Sequence, residues 1–138
     1  MYDGEATTIR VGTDLVAVNE VADSIARFGD RYLRRIFTDH ELATCGGVAS
    51  RLAARFAAKE ATIKVLRPAD ARPDWRAIEV RRHESGACDL HLSGTAATQA
   101  AAAGITCLAV SLTHEGGLAA AVVVANVHHT EPEEEAAA

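Results

Sequence analysis

Glu60 and Lys64 lie four residues apart in RFAAKEATIKVL, the stretch from Arg55 to Leu66. On a helix that spacing places both on one face, where the common outcome is an exposed ion pair contributing a few tenths of a kcal/mol. The neighbours argue for more. Ala57, Ala58 and Ala61, with Phe56 and Ile63, predict a helix buried on more than one side, and a buried Glu or Lys needs partners. Asp14 stands in GTDLV, where alternation puts Gly12, Asp14 and Val16 on one strand face and Thr13 and Leu15 on the other. A turn aspartate or an Asp–Arg pair accounts for it alone. Together, however, Asp14 and Glu60 could hold a hard cation such as Mg²⁺, which takes one or two carboxylates and completes its shell with phosphate and water. Lys64 could meet the same phosphate as a point charge. That combination suits phosphoryl-group transfer. Ser111, Thr113 and His114 alternate with apolar residues in SLTHEGG and add a set of donors suited to phosphate.

The elements that must position these residues read as follows. Thr8 to Val18 is expected to be a strand, with Gly12 allowing close backbone approach. Asn19 is expected to cap a helix through Phe28 that presents Val21, Ile25 and Phe28 on one face. Arg31 to Ile36 reads as a short helix or turn. Thr38 and Glu41 form a capping box for a helix ending near Gly46 and Gly47. Ser50 to Leu66 is the long helix, and Pro68 and Pro73 mark the loop after it. Trp75 to Arg82 and Asp89 to Leu92 are expected strands, and Thr95 to Ala103 an alanine-rich helix closed by Gly104. Ile105 to Leu112 and Leu118 to Asn126 are expected to form an antiparallel hairpin across THEGG. The mixture lacks a βαβ rhythm and predicts an α+β fold, an antiparallel sheet packed on a long central helix. One domain over residues 1–127 is expected, followed by an acidic disordered tail over 128–138.

Composition narrows the function class. The chain has 138 residues, 49% of them hydrophobic but only 4% aromatic. A core of Ala, Val and Leu is thin per residue and gains from oligomerisation. Cys45, Cys88 and Cys107 are an odd, widely spaced set that reads as free thiols of a cytoplasmic protein. The N-terminus is too polar for a signal peptide, and no apolar run approaches a membrane span. The formal charge of −5 is uneven: the tail carries Glu131, Glu133, Glu134 and Glu135, whereas Arg27 to Arg67 holds nine of the 14 Lys and Arg residues and four acids. That basic region suits phosphate groups or an acidic protein. Nucleic acid is not expected, because no aromatics are interleaved for base stacking.

Taken in order, VGTDLV, FTDHEL, RLAARFAAKEATIKVL, IEV, LSG and VSLTHE resemble the holo-acyl-carrier-protein synthases, the small type of 4′-phosphopantetheinyl transferase. The segments span nearly the whole chain, and the pairing of RFAAKEAxxK with SxTHE is highly specific. The resemblance implies that family's fold, assembled as a homotrimer with sites between subunits. It implies transfer of the phosphopantetheine arm from coenzyme A to a serine of an acidic apo acyl carrier protein, releasing adenosine 3′,5′-bisphosphate. By motif position Asp14 and Glu60 would be the Mg²⁺ ligands, and Glu60 and Lys64 would be catalytic, with Glu60 or a metal-bound water taking the serine proton. Coenzyme A would meet Lys64, Arg55, Arg67 and Gly86, and Ser111, Thr113 and His114 from the neighbouring subunit. Two departures stand out. Arg67, Pro68, Ala69 and Asp70 replace the family's Gly-Thr-Gly after the long helix, and Gly86, Ala87 and Cys88 replace its Gly-x-Pro turn. The rival readings are a carrier- or nucleotide-binding module that has lost catalysis, and a structural oligomer with solvated charges.

Overall fold

The computed structural model describes residues 6–68 and 72–129. Strand β1 (Ala6–Ala17) leads into α1 (Val18–Phe28), α2 (Asp30–Ile36), α3 (Asp39–Cys45) and the long α4 (Ala49–Leu66). A short 3₁₀ turn (Trp75–Ala77) precedes β2 (Ile78–Arg82), β3 (Cys88–Leu92), α5 (Gly94–Ala102), β4 (Ile105–Glu115) and β5 (Leu118–His129). The main sheet is antiparallel in the order β1-β5-β4, and β2 and β3 form a separate antiparallel hairpin. The α+β architecture expected from the sequence is therefore present. The expected tail lies outside the described residues from position 130 on, while β5 itself runs to His129.

Helix α4 packs on the main sheet through small residues. Ala53, Ala57, Ala58 and Ala61 meet Ala119, Ala121, Val123 and Ala125 in one buried cluster. The tightest approach is at Gly12, where a Cβ would stand 2.1 Å from the Ala61 carbonyl oxygen. Only glycine admits that contact, as its place in the strand suggested. Eleven of the 18 residues of α4 are buried, among them Arg55 and Lys59, so the helix is covered on several sides. A second cluster joins Leu66 to Ile78, Ala96 and Ala100.

Four local expectations change. Helix α1 starts one residue before Asn19 and has no side-chain cap; the Val18 N–H instead donates to the Gly117 carbonyl at 2.9 Å, so a tertiary contact supplies the partner. On α1, Val21 is buried, but Phe28 is 54% exposed at the helix end. The strand expected from Trp75 begins only at Ile78, because Lys59 draws the Trp75 and Ile78 carbonyls together and Trp75 packs against Phe56, their ring centroids 5.2 Å apart and their planes tilted by 50°. The loop expected at THEGG shrinks to Gly116 and Gly117, whose φ angles of 59° and 78° make a two-residue hairpin turn. Thr113, His114 and Glu115 consequently belong to β4, with His114 opposite Ala119. The capping box forms as expected, with the Thr38 hydroxyl accepting from the Glu41 N–H at 3.2 Å. Among the described residues no helix is long and apolar enough to cross a membrane.

Candidate active site

Two groups of polar side chains form on α4. The first is set by β1. Asp14 projects toward α4 because it shares the inward face of β1 with Gly12 and Val16, and the Gly12–Ala61 contact draws the elements together. The Lys64 ammonium donates to the Thr13 carbonyl at 2.7 Å and lies 3.4 Å from Asp14 Oδ1. The partner of Asp14 is thus a lysine, not an arginine. Its other oxygen, Oδ2, is buried without a partner. Burial first, then the neighbouring Asp14 carboxylate, raise the Glu60 carboxyl from 4.5 to about 7, and the Lys64 charge opposes them. Two close carboxylates resist joint ionisation unless a cation is between them. The orphaned Oδ2 and the perturbed Glu60 fit a hard divalent cation with few protein ligands. No cluster of three or more His, Cys, Asp or Glu occurs among the described residues.

The second group lines a cleft of about 540 Å³. Arg51 and Arg55 of α4 form one wall, Thr44 of α3 a second, and Arg82, Gly86 and Cys88 of the β2–β3 hairpin a third. Ser111, Thr113 and His114 of β4 close it. Arg55 is only 5% exposed, and its Nε is buried without a protein partner. Three guanidiniums and three hydroxyls around an open space suit a dianionic phosphate.

Of the residues singled out in the sequence, the structure gathers Asp14, Glu60 and Lys64 in one group, and Arg55, Gly86, Ser111, Thr113 and His114 in the other. Arg67 joins neither. It is exposed at the end of α4 with φ 51°, the single positive-φ non-glycine among the described residues. Residues 69–71 of the same departure lie outside the described residues. The reading missed Arg51 and Arg82. Arg51 could have been found, since it precedes Arg55 by one helical turn; Arg82 reaches the cleft only through the packing of the hairpin, which no local pattern reports. At about 100° per residue, Arg55 and Glu60 stand about 140° apart around α4. The two groups therefore face different sides of the helix.

This arrangement is that of a phosphate-handling transferase. A family model described as the 4′-phosphopantetheinyl transferase superfamily matches residues 10–123. The chain belongs to that superfamily. It is similar to a holo-[acyl-carrier-protein] synthase of Chloroflexus aurantiacus, with 44% identity over 133 residues covering 83% of this chain and 95% of the relative. Among solved structures, it is similar to the Chronobacterium ammoniagenes ACPS–CoA complex, with 29% identity, a TM-score of 0.79, and coverage of 87% of this chain and 98% of that one. The Helicobacter pylori holo-[acyl-carrier-protein] synthase in complex with coenzyme A matches with 27% identity, a TM-score of 0.76, and coverage of 84% and 99%.

Proposed function

We propose that this protein transfers the 4′-phosphopantetheine group of coenzyme A to a serine hydroxyl of an apo acyl carrier protein. The observation that supports it most is the pairing of a two-carboxylate group with a separate three-arginine cleft on one helix. One group suits the reacting pyrophosphate, and the other suits the nucleotide phosphate of the same donor. In the reaction, the serine oxygen bonds to the pantetheine-side phosphorus as the pyrophosphate P–O bond breaks. The products are holo carrier protein and adenosine 3′,5′-bisphosphate.

Asp14 and Glu60 would hold Mg²⁺, which supplies charge neutralisation for the pyrophosphate. Lys64 donates to the Thr13 carbonyl and to Asp14 Oδ1, which leaves its third donor for a phosphate oxygen. Glu60, once ionised, can accept the proton the serine gives up. Arg51, Arg55 and Arg82 hold the nucleotide end, with Ser111, Thr113 and His114 as further donors. Because the two groups face different sides of α4, one donor molecule is best served by the carboxylates of one subunit and the cleft of its neighbour. A homotrimer accommodates this. The exposed Ile9, Val11, Leu15, Leu118 and Val122 on the outer face of the main sheet are the apolar surface it would bury. The acidic carrier would dock on the exposed Arg31, Arg34 and Arg35 of α2. Coenzyme A and carrier protein as substrates would suit a cytoplasmic enzyme.

The test is an intact-mass measurement on apo acyl carrier protein incubated with coenzyme A and Mg²⁺. One phosphopantetheine should be added, and chelation should stop the addition. Asp14→Ala and Glu60→Ala each remove several kcal/mol of charge stabilisation, on the order of 100-fold or more in rate. A folded variant of either kind with near-normal turnover at saturating Mg²⁺ would refute the assignment.

A further inference from the structure

Lys59 and Glu41 are fully buried, and the mechanism above uses neither. Their charges meet at 2.6 Å. The Lys59 ammonium also donates to the Trp75 carbonyl at 2.9 Å and to the Ile78 carbonyl, so its three donors are satisfied. Glu41 Oε1 accepts the Thr38 N–H at 2.9 Å, and Oε2 accepts the Val80 N–H at 2.9 Å. One ion pair therefore joins α3, α4 and the start of β2. An apolar pair of similar volume commonly leaves a fold as stable or more so, which makes a buried pair weak evidence for a role in stability alone.

The same three elements wall the arginine-lined cleft. Thr44 lies three residues after Glu41 on α3, Arg55 one turn before Lys59 on α4, and Arg82 two residues after Val80 on β2. Cys88, directly opposite Arg82 in the hairpin, lines the cleft as well. Only the β4 wall is held independently, by its pairing with β5. We infer that Glu41 and Lys59 are positioning residues that set the separation of the cleft walls, and so the affinity for the nucleotide end of coenzyme A. This rests on the reading of the cleft as the nucleotide site. Directional bonds to three backbones fix the walls relative to one another, whereas apolar contacts would let them slide. Arg55, whose Nε is buried without a partner, stands on the same helix as Lys59.

The test uses the full-length protein with Glu41→Asp and Glu41→Gln. Glu41→Asp keeps the charge but shortens its reach by about 1.5 Å, and it carries the test whether or not Glu41→Gln folds. Val127→Ala, in a fully buried position of β5 opposite Ile105 and Thr8 and apart from the pair and the cleft, serves as a control for general loosening. Adenosine 3′,5′-bisphosphate and coenzyme A are titrated calorimetrically, and KM and kcat are measured well below each variant's Tm. Glu41→Asp should raise Kd for both ligands and KM for coenzyme A by about fivefold or more, while kcat stays within about twofold. Val127→Ala, at a comparable loss of Tm, should leave both near wild type. Unchanged ligand affinity in Glu41→Asp, or an equal rise in Val127→Ala, would overturn the inference. A wild-type protein that binds neither ligand would instead overturn the reading of the cleft, and the inference with it.

Discussion

Replacing Gly12 by alanine tests how closely β1 must approach α4 for the carboxylate group to form. The added Cβ would stand 2.1 Å from the Ala61 carbonyl oxygen, 3.1 Å from its carbon and 3.0 Å from Val65 Cγ2. The obstacle is the backbone of a helix buried along most of its length, so β1 has to retreat by about 1 Å to reach ordinary contact. Overpacking of this kind costs about 1–3 kcal/mol. For a chain of this size that corresponds to a fall in Tm of very roughly 4–15 °C. The retreat also carries Asp14, two residues on, away from Glu60 and Lys64. A displacement of about 1 Å at a reacting centre can cost about 100-fold in rate. Gly12→Ala should thus lose both stability and turnover, whereas Asp14→Ala should lose turnover with little change in Tm. Calorimetric melts and transfer assays on the two variants distinguish these patterns. A Gly12→Ala protein that melts within about 2 °C of wild type and turns over normally would refute the reasoning, since a 1 kcal/mol loss already exceeds that shift.

The raised carboxyl of Glu60 makes the metal-free protein pH-sensitive. A pKa of about 7 in the folded state against 4.5 unfolded means the folded chain holds the extra proton, so this contribution is full below about pH 4.5 and lost as pH rises through 7. In chelator, Tm should therefore decline over that window more in wild type than in Glu60→Gln; parallel profiles would contradict the coupling. Mg²⁺ should bind more tightly as pH rises through 7, because only the ionised carboxyl favours it, and a pH-independent Kd would count against Glu60 as a ligand. Arg31→Glu or Arg35→Glu should raise KM for the carrier protein and leave KM for coenzyme A nearly unchanged, with added salt weakening the wild-type interaction. Equal carrier KM values at low salt would exclude that surface and direct attention to Arg51 and Arg55.

Local signals in the chain carried much of the architecture. The Thr38–Glu41 box works within one turn, so three residues suffice to read it. Gly12 announced a close approach because no other residue can occupy such a position in a strand. Where the reading missed, the deciding contact came from elsewhere in the chain. Val18 begins α1 because Gly117, about a hundred residues away, supplies the acceptor. Trp75 leaves the strand because Lys59 binds carbonyls on either side of the turn. Glu41 read as half of a cap, yet its carboxylate also anchors Lys59 and Val80, partners that sequence spacing cannot connect. The same holds for the site. Glu60 and Lys64 were legible as neighbours on one helix face, and Asp14 as an inward carboxylate on a strand. Arg82 has no such mark; it is an exposed arginine at a strand end until the hairpin folds against α4.

Mixing two inactive variants tests the central claim, that one site draws its carboxylates from one subunit and its phosphate cleft from the next. Asp14→Ala chains lack the first half, and His114→Ala chains lack the second. Each should be inactive alone. After dissociation and random reassembly of equal amounts, a site has about one chance in two of keeping each half, so about a quarter of all sites should be intact. Transfer activity should return to about that fraction of wild type, with mixed assemblies verified by native mass measurement. Mixed assemblies that stay inactive would contradict the shared site and place the whole reaction within one chain.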